Sequence, residues 1–445
     1  MTQALAPLKG APRRHDREIL ALAVPAFGAL VAEPLFVMAD SAIVGHLGTP
    51  QLAGLGIAAA LLTTAVSVFV FLAYATTAAV SRRVGAGDLP AAIRQGMDGI
   101  WLALLIGAVV VAVVLPTAPW LISLFGASDT VAPYAVTYLR ISALGIPAML
   151  MVLAATGVLR GLQNTRTPLY VAIGGFALNA GLNGALVYGA GFGIAGSAWG
   201  TVIAQCAMAG VYLVVVLRGA RRHGASLRPD AAGIRACAQA GVPLLVRTLS
   251  LRAVLIIATA VAARLGDADI AAHQILLSLW SLLAFALDAI AIAGQAIIGR
   301  YLGADDTEGA KAVCRRMVQW GIVSGIVLGA LVIVARPLLI PLFTGDPAVE
   351  AALLPALLVV ALSQPVSGIV FVLDGVLMGA GDGRYLAWAM LVTLAVFTPA
   401  ALLVPSLGGG LTALWGAMTL MMLVRMATLQ LRARSGRWLV AGATR

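Results

Sequence analysis

Apolar stretches of about twenty residues, the length that crosses a bilayer as a helix, recur along this chain from one end to the other. In hydrocarbon a backbone must satisfy its own hydrogen bonds, so such a chain folds either as membrane helices or as a closed barrel. The alternation of apolar and polar residues that a membrane barrel requires is missing. Hydrophobic residues make up 61% of the chain and charged ones 11%, against about 25% charged in a soluble domain. The expectation is an all-α integral membrane protein with twelve transmembrane helices. Hydropathy places them at 19–43, 55–80, 96–118, 132–157, 168–189, 194–217, 237–263, 270–298, 315–335, 350–377, 385–405 and 409–430.

The net charge of +11 is not spread evenly. Numbering the connections alternately puts 24 of the 29 basic residues on one side: the N-terminus, the even-numbered loops and the tail, with which Arg425 near the end of the last helix is counted. The positive-inside rule makes that side cytoplasmic and both termini internal, as an even helix count requires. Orientation and contact with anionic lipids account for this charge, and no nucleic-acid partner is expected. Cys206, Cys237 and Cys314 are scattered, with neither metal-ligand spacing nor a disulfide framework.

The chain also repeats itself. At an offset of 218, Pro25 meets Pro243, Leu47-Gly48 meets Leu265-Gly266, Arg82 meets Arg300, and Asp88 meets Asp306. Farther along, Leu124-Phe125 meets Leu342-Phe343 and Pro147 meets Pro365. Gly157-Val-Leu-x-Gly161 then meets Gly375-Val-Leu-x-Gly379, and Arg166 meets Arg384. Six helices per half means that both halves enter the membrane from the same side, a parallel 6+6 repeat of two pseudo-symmetric lobes. The expected organisation is a cytoplasmic segment at 1–18, an N-lobe at 19–217, a polar cytoplasmic linker at 218–236, a C-lobe at 237–430 and a cytoplasmic tail at 431–445.

Ionisable groups at membrane depth are costly and mark function by default. Glu33 and Asp40 lie on the first helix, seven residues and about 10 Å apart along one face. Their repeat-mates are Leu251 and Ala258, so only the N-terminal half carries these acids. Burial in apolar surroundings disfavours the charged form of a carboxylate, so such a group can take up and release a proton near neutral pH. Held by neighbouring polar groups, either acid could instead be a packing element. Pro25 and Pro34 interrupt the hydrogen-bond ladder of the same helix and are candidate hinges. Asn179 and Asn183, one turn apart, and Thr201 could complete a polar pocket with Asp40 or serve only as glue between helices. The second half offers Arg247, Arg252, Asp288 and Asp374, where a structural Arg–Asp pair is expected, and His273, placed at the outer interface. Phosphate-binding loops, zinc helices and serine elbows are missing from the sequence, so no catalytic residue, metal or organic cofactor is expected.

Several segments resemble the MATE (multidrug and toxic compound extrusion) transporters of the DinF-like branch. They are Glu33-Pro-Leu-Phe-Val-Met-Ala-Asp40-Ser-Ala-Ile-Val-Gly-His-Leu-Gly48, Arg247-Thr-Leu-Ser-Leu251, Ala271-Ala-His-Gln-Ile275, Asp288-Ala-Ile-Ala-Ile-Ala-Gly-Gln295 and Asp374-Gly-Val-Leu-Met-Gly-Ala-Gly-Asp382. The resemblance implies a twelve-helix, V-shaped antiporter that exports amphipathic organic compounds in exchange for H⁺ or Na⁺. By the same resemblance Asp40 corresponds to the coupling carboxylate, with Asn179 and Thr201 among its polar neighbours. Where some relatives carry a second acid this chain has Asn183, which favours H⁺ over Na⁺.

The resulting expectation is a monomeric proton-coupled exporter in the plasma or inner membrane, not an enzyme, whose partners are a small amphipathic substrate and membrane lipids. Rival readings are a Na⁺-coupled exporter and a flippase of lipid-linked or amphipathic metabolites. A major-facilitator carrier would need an Asp-Arg-x-Gly-Arg-Arg loop between helices two and three, which is not found. Outside transport, a membrane receptor or a membrane-embedded enzyme would show no gradient-dependent flux.

Overall fold

The computed structural model describes residues 12–444, and these are all-helical. The helices are α1 (Pro12–Gly45), α2 (Thr49–Phe69), α3 (Phe71–Gly85), α4 (Leu89–Ser123), α5 (Ala132–Ala143), α6 (Ile146–Gly161) and α7 (Arg166–Gly184). A π-helical turn, Ala185–Gly189, follows α7 and leads to α8 (Gly193–His223). The second half comprises α9 (Ala231–Leu265), α10 (Asp267–Gly303), α11 (Thr307–Phe343), α12 (Pro347–Gly379), α13 (Gly383–Ser406) and α14 (Leu411–Ser435). Helices α2 and α3 form one run, and α5 and α6 one span bent by 49°, so the described residues form twelve successive helical runs. Ten runs are long and apolar enough to cross a membrane, and the bent pair is an eleventh.

The repeat has a physical basis in the backbone. Gly48 and Gly266 precede α2 and α10 with φ of 136° and 139°, a conformation that side-chain-bearing residues rarely adopt. Asp88 and Asp306 cap α4 and α11, accepting from Ala91 N at 3.0 Å and from Gly309 N at 2.7 Å. Gly157 lies so close to α3 that a methyl group there would overlap the Ala73 carbonyl, and Gly375 stands in the same relation to Ala291 on α10. Small residues thus allow α6 onto α3 and α12 onto α10 at backbone distance, the usual way helices associate in lipid. Likewise Gly107 and Gly325 accommodate Pro147 and Pro365.

The chain packs as two compact units. One consists of Gly28–Val242; the other consists of Pro243 onward together with the start of α1 as far as Phe27. The boundaries fall beside the repeat-related prolines Pro25 and Pro243, inside α1 and α9, rather than within the polar segment between the halves. The start of α1 is fixed to the second half by ion pairs. The Arg316 guanidinium donates to Asp16 at 2.6 and 2.7 Å, Trp320 Nε1 donates to Asp16 at 2.8 Å, and Arg300 pairs with Glu18. The Arg316 and Trp320 bonds hold the Asp16 carboxyl at about 2, below the usual carboxylate range.

The segments read from sequence as linker and tail both carry structure. Much of the supposed linker at 218–236 is helix, because α8 runs to His223 and α9 begins at Ala231. Polar helix ends can continue past the apolar span into water, and Arg221 and Arg222 suit the C-terminal end of the α8 dipole. The tail is not free either. Helix α14 reaches Ser435, Arg432 binds Asp382 at 2.6 Å, and the Gly442 amide donates to the Leu302 carbonyl at 2.9 Å.

Candidate functional site

Asp40 occupies the second half of α1, in the Gly28–Val242 unit, and its side chain is buried. Three donors close on it. The Ser197 hydroxyl donates to Oδ1 at 2.6 Å and Asn183 Nδ2 donates to the same oxygen at 2.7 Å. The Tyr138 hydroxyl donates to Oδ2 at 3.1 Å. A second layer extends the network: Asn183 Nδ2 also donates to Asn179 Oδ1 at 3.0 Å, and Asn179 Nδ2 donates to Thr201 Oγ1 at 3.0 Å. The cage therefore draws on α1, α5, α7 and α8.

Each side chain is placed by local structure. Tyr138 belongs to a buried apolar cluster with Val44, Leu55, Ile122, Leu139 and Ile194, which fixes its ring and aims its hydroxyl. Asn179 and Asn183 are one turn apart on α7, and Ser197 and Thr201 one turn apart on α8, so two polar pairs face each other. Gly200 makes the room, since a methyl group there would overlap Asn183 Oδ1. The π-helical turn begins two residues after Asn183, an irregularity frequent at functional sites. Its Tyr188 hydroxyl donates to the Ile43 carbonyl at 2.5 Å, linking the turn to α1 one turn beyond Asp40.

The electrostatics of this cage are unusual. Among the described residues Asp40 is bonded only by neutral donors, and no lysine, arginine or histidine pairs with it. Asn183 Oδ1 is a buried acceptor with no hydrogen-bond partner. A carboxylate at membrane depth with neutral neighbours and a spare acceptor beside it is poised to exchange a cation or a proton.

The structure thus gathers Asp40, Asn179, Asn183 and Thr201 as the sequence pattern suggested, and adds Tyr138 and Ser197. The side chain of Glu33 lies outside the described residues. Pro25 and Pro34 both lie within the continuous helix α1.

Elsewhere, Asp374 on α12 is bound by Arg247 and Arg425. Arg247 Nε donates to Oδ1 at 3.1 Å and Arg425 Nη2 donates to Oδ2 at 2.9 Å. Arg425, counted from sequence with the cytoplasmic tail, is instead a buried partner in this triad, because α14 carries it inward. Asp288 on α10 adds a further negative charge near Arg425. His273, near the start of α10, is fully buried against Trp415, with ring centroids 5.7 Å apart.

Similarity to known proteins agrees with this architecture. The sequence profile of the MatE family matches residues 25–184 and again residues 243–402, reproducing the 218-residue offset of the repeat. Over 440 residues the chain is 31% identical to Protein DETOXIFICATION 44, chloroplastic, of Arabidopsis thaliana, covering 95% of this chain and 83% of that protein. It is 30% identical to DNA damage-inducible protein F of Escherichia coli (strain K12), covering 96% and 94%. Among solved structures, a MATE protein in its bent conformation superposes with a TM-score of 0.89 at 20% identity, covering 98% of this chain and 97% of that one. With twelve helical runs, a repeat that the family profile matches twice and relatives along its whole length, the chain belongs to the MatE family of multidrug and toxin efflux transporters.

Proposed function

We propose that this transporter exports amphipathic organic compounds in exchange for protons, with Asp40 as the group that carries the proton. One observation carries the reading: among the described residues, Asp40 is a carboxylate in an apolar helix surrounded by neutral donors alone. Ionised, it accepts three hydrogen bonds. Protonated, it must also donate one; the Tyr138 hydroxyl can turn to accept it, and the unpartnered Asn183 Oδ1 is a second acceptor within the cage once the amide turns. That rotation withdraws Nδ2 from Asn179 and so reaches the Asn179–Thr201 bond between α7 and α8. Proton uptake at one atom thereby alters the contacts of three helices, which is what coupling to alternating access requires. Pro25 and Pro34 serve as the points where α1 bends.

Sodium is the second reading. A bound cation of that kind wants several oxygen ligands and a compensating charge, whereas the described cage offers one carboxylate and one free oxygen. The balance favours the proton. The cytoplasmic side holds both termini by the distribution of basic residues, and the monomer in a plasma or inner membrane is the working form.

The test is efflux from proteoliposomes under separately imposed H⁺ and Na⁺ gradients. Wild-type protein is expected to respond to the pH gradient, and Asp40→Asn to lose that response while retaining its fold. If Asp40→Asn transports as well as the parent, the coupling scheme is wrong.

A further inference from the structure

The unit that runs from Pro243 onward pairs two arginines deep within its spans, while a third has no counter-charge among the described residues. Arg247 and Arg425 both close on Asp374. Arg252, five residues beyond Arg247 on α9, has no hydrogen bond or ion pair among the described residues. It lies close to the middle of the span 237–263, about 15 Å or more along the helix axis from either end. That is farther than an arginine side chain extends, so it cannot reach the membrane surface by snorkelling.

Its direction on the helix is equally informative. The buried positions of α9 that follow a helical stripe are Leu244, Arg247, Thr248, Ser250, Val254, Ala258, Val261 and Ala262. At about 100° per residue, Arg252 points roughly 130° away from the centre of that stripe. Its neighbours on that side, Leu249 and Ile256, are exposed. Arg252 is thus turned out of the packed core of its own unit. A guanidinium at this depth is not tolerated against acyl chains unless a polar partner or water meets it. Among the described residues no protein partner meets it. The repeat-related position on α1 is Pro34, so this cation was not inherited from the shared scaffold and belongs to the second half alone.

We infer that Arg252 is a binding group for an anionic moiety (carboxylate, sulfonate or phosphate) on the transported compound. The planar guanidinium presents paired N–H donors that match such groups and stays charged at any physiological pH. This inference rests on the exporter reading and narrows it: the substrates include amphipathic anions, with an apolar body against surfaces such as Leu249 and Ile256 and a negative head at Arg252. The head could belong to a soluble amphiphile or to a lipid, because the contact chemistry is shared.

The test separates binding from transport. Wild type, Arg252→Gln and Arg252→Lys are purified in phosphatidylcholine nanodiscs, and equilibrium binding of 1-naphthoate is compared with that of its neutral analogue 1-naphthalenemethanol. Wild type is expected to bind naphthoate, and Arg252→Gln to weaken that binding about tenfold or more, as loss of a contact to a charged group implies. Arg252→Lys keeps the charge and should retain most of the affinity, and the neutral analogue should bind all three proteins alike. Equal weakening of both compounds in both variants would mean that Arg252 only packs, and overturns the inference. So does failure of wild type to bind naphthoate, or unchanged affinity in Arg252→Gln. Competition by added phosphatidylglycerol identifies a lipid headgroup as the source of the anion; its absence identifies the soluble amphiphile. Arg252-dependent binding without gradient-driven flux upholds the arginine's role and sinks the exporter reading instead.

Discussion

Two aspartates in this protein should respond in opposite ways to the same substitution. Changing Asp to Asn replaces one carboxylate oxygen with an NH₂ group and removes the charge while keeping the shape. At Asp374 both oxygens face guanidinium donors, Oδ1 taking Arg247 Nε and Oδ2 taking Arg247 and Arg425. However the new amide turns, its NH₂ confronts an arginine N–H, and two buried cations lose the carboxylate they share. Breaking a buried ion pair in this manner costs about 3–5 kcal/mol. At Asp40 the donors are neutral, and one of them, the Tyr138 hydroxyl, can accept as well as donate. An asparagine there keeps Oδ1 on Ser197 and Asn183 and directs its NH₂ to Tyr138. The weakening of hydrogen bonds that had a charged acceptor, about 1 kcal/mol each, is offset by no longer burying a charge, so the net change is within about 1 kcal/mol. The measurement is unfolding of the purified variants in one detergent, followed by tryptophan fluorescence against denaturant. Asp374→Asn should unfold at clearly lower denaturant than wild type, and Asp40→Asn close to wild type. Coincident curves for the two variants, or a larger loss at Asp40, would refute the contrast between a charge-paired and a neutral cage.

Two further outcomes follow from described geometry. Gly200→Ala places a methyl group on Asn183 Oδ1, so the amide must move; overpacking of this kind costs about 1–3 kcal/mol, and pH-driven transport should fall with it. Normal transport by this variant would show that Asn183 is dispensable to the cage. Asp16 titrates with a midpoint near 2 because Arg316 and Trp320 bind its charged form. Its contribution to holding the start of α1 is therefore complete above about pH 4, the ordinary range of an aspartate, and is lost as the pH falls toward 2. The emission of Trp320, taken as the difference between the parent and Trp320→Phe, should report that midpoint, and a value near 4 would disprove the clamp.

What could be read from sequence was what the backbone imposes. Gly48 and Gly266 stand out in the repeat because their φ values exclude other residues, and Asp88 and Asp306 because each caps a helix. Asp40, Asn179, Asn183 and Thr201 were legible because polar side chains in apolar helices need partners, and their spacing suggested a common face. Tyr138 was not, since a tyrosine in a membrane span is ordinary and only packing aims its hydroxyl at Asp40. Ser197 did leave a signal, its position one turn before Thr201, but serine is common in close-packed membrane helices. Arg425 misled for a definite reason: a basic residue near a helix end is counted with the adjoining loop, and only the approach of α12 to α14 brings it to Asp374. The π-helical turn after Asn183 has no sequence signature in this chain.

The division of α1 at Phe27 bears on how the protein is made. Asp16 leaves the ribosome long before its partners Arg316 and Trp320, some 300 residues later in the chain. Until α10 and α11 are synthesised, Asp16 and Glu18 at the start of α1 lack the partners Arg316, Trp320 and Arg300 that hold them, so that unit cannot close from its N-terminus onward as a nascent chain ordinarily does. Loop closure over such a separation is slow, and the last-made helices complete the work of the first. A chain released early, or cut in the polar segment between the halves, would leave both fragments deprived of a helix segment that only the other can supply.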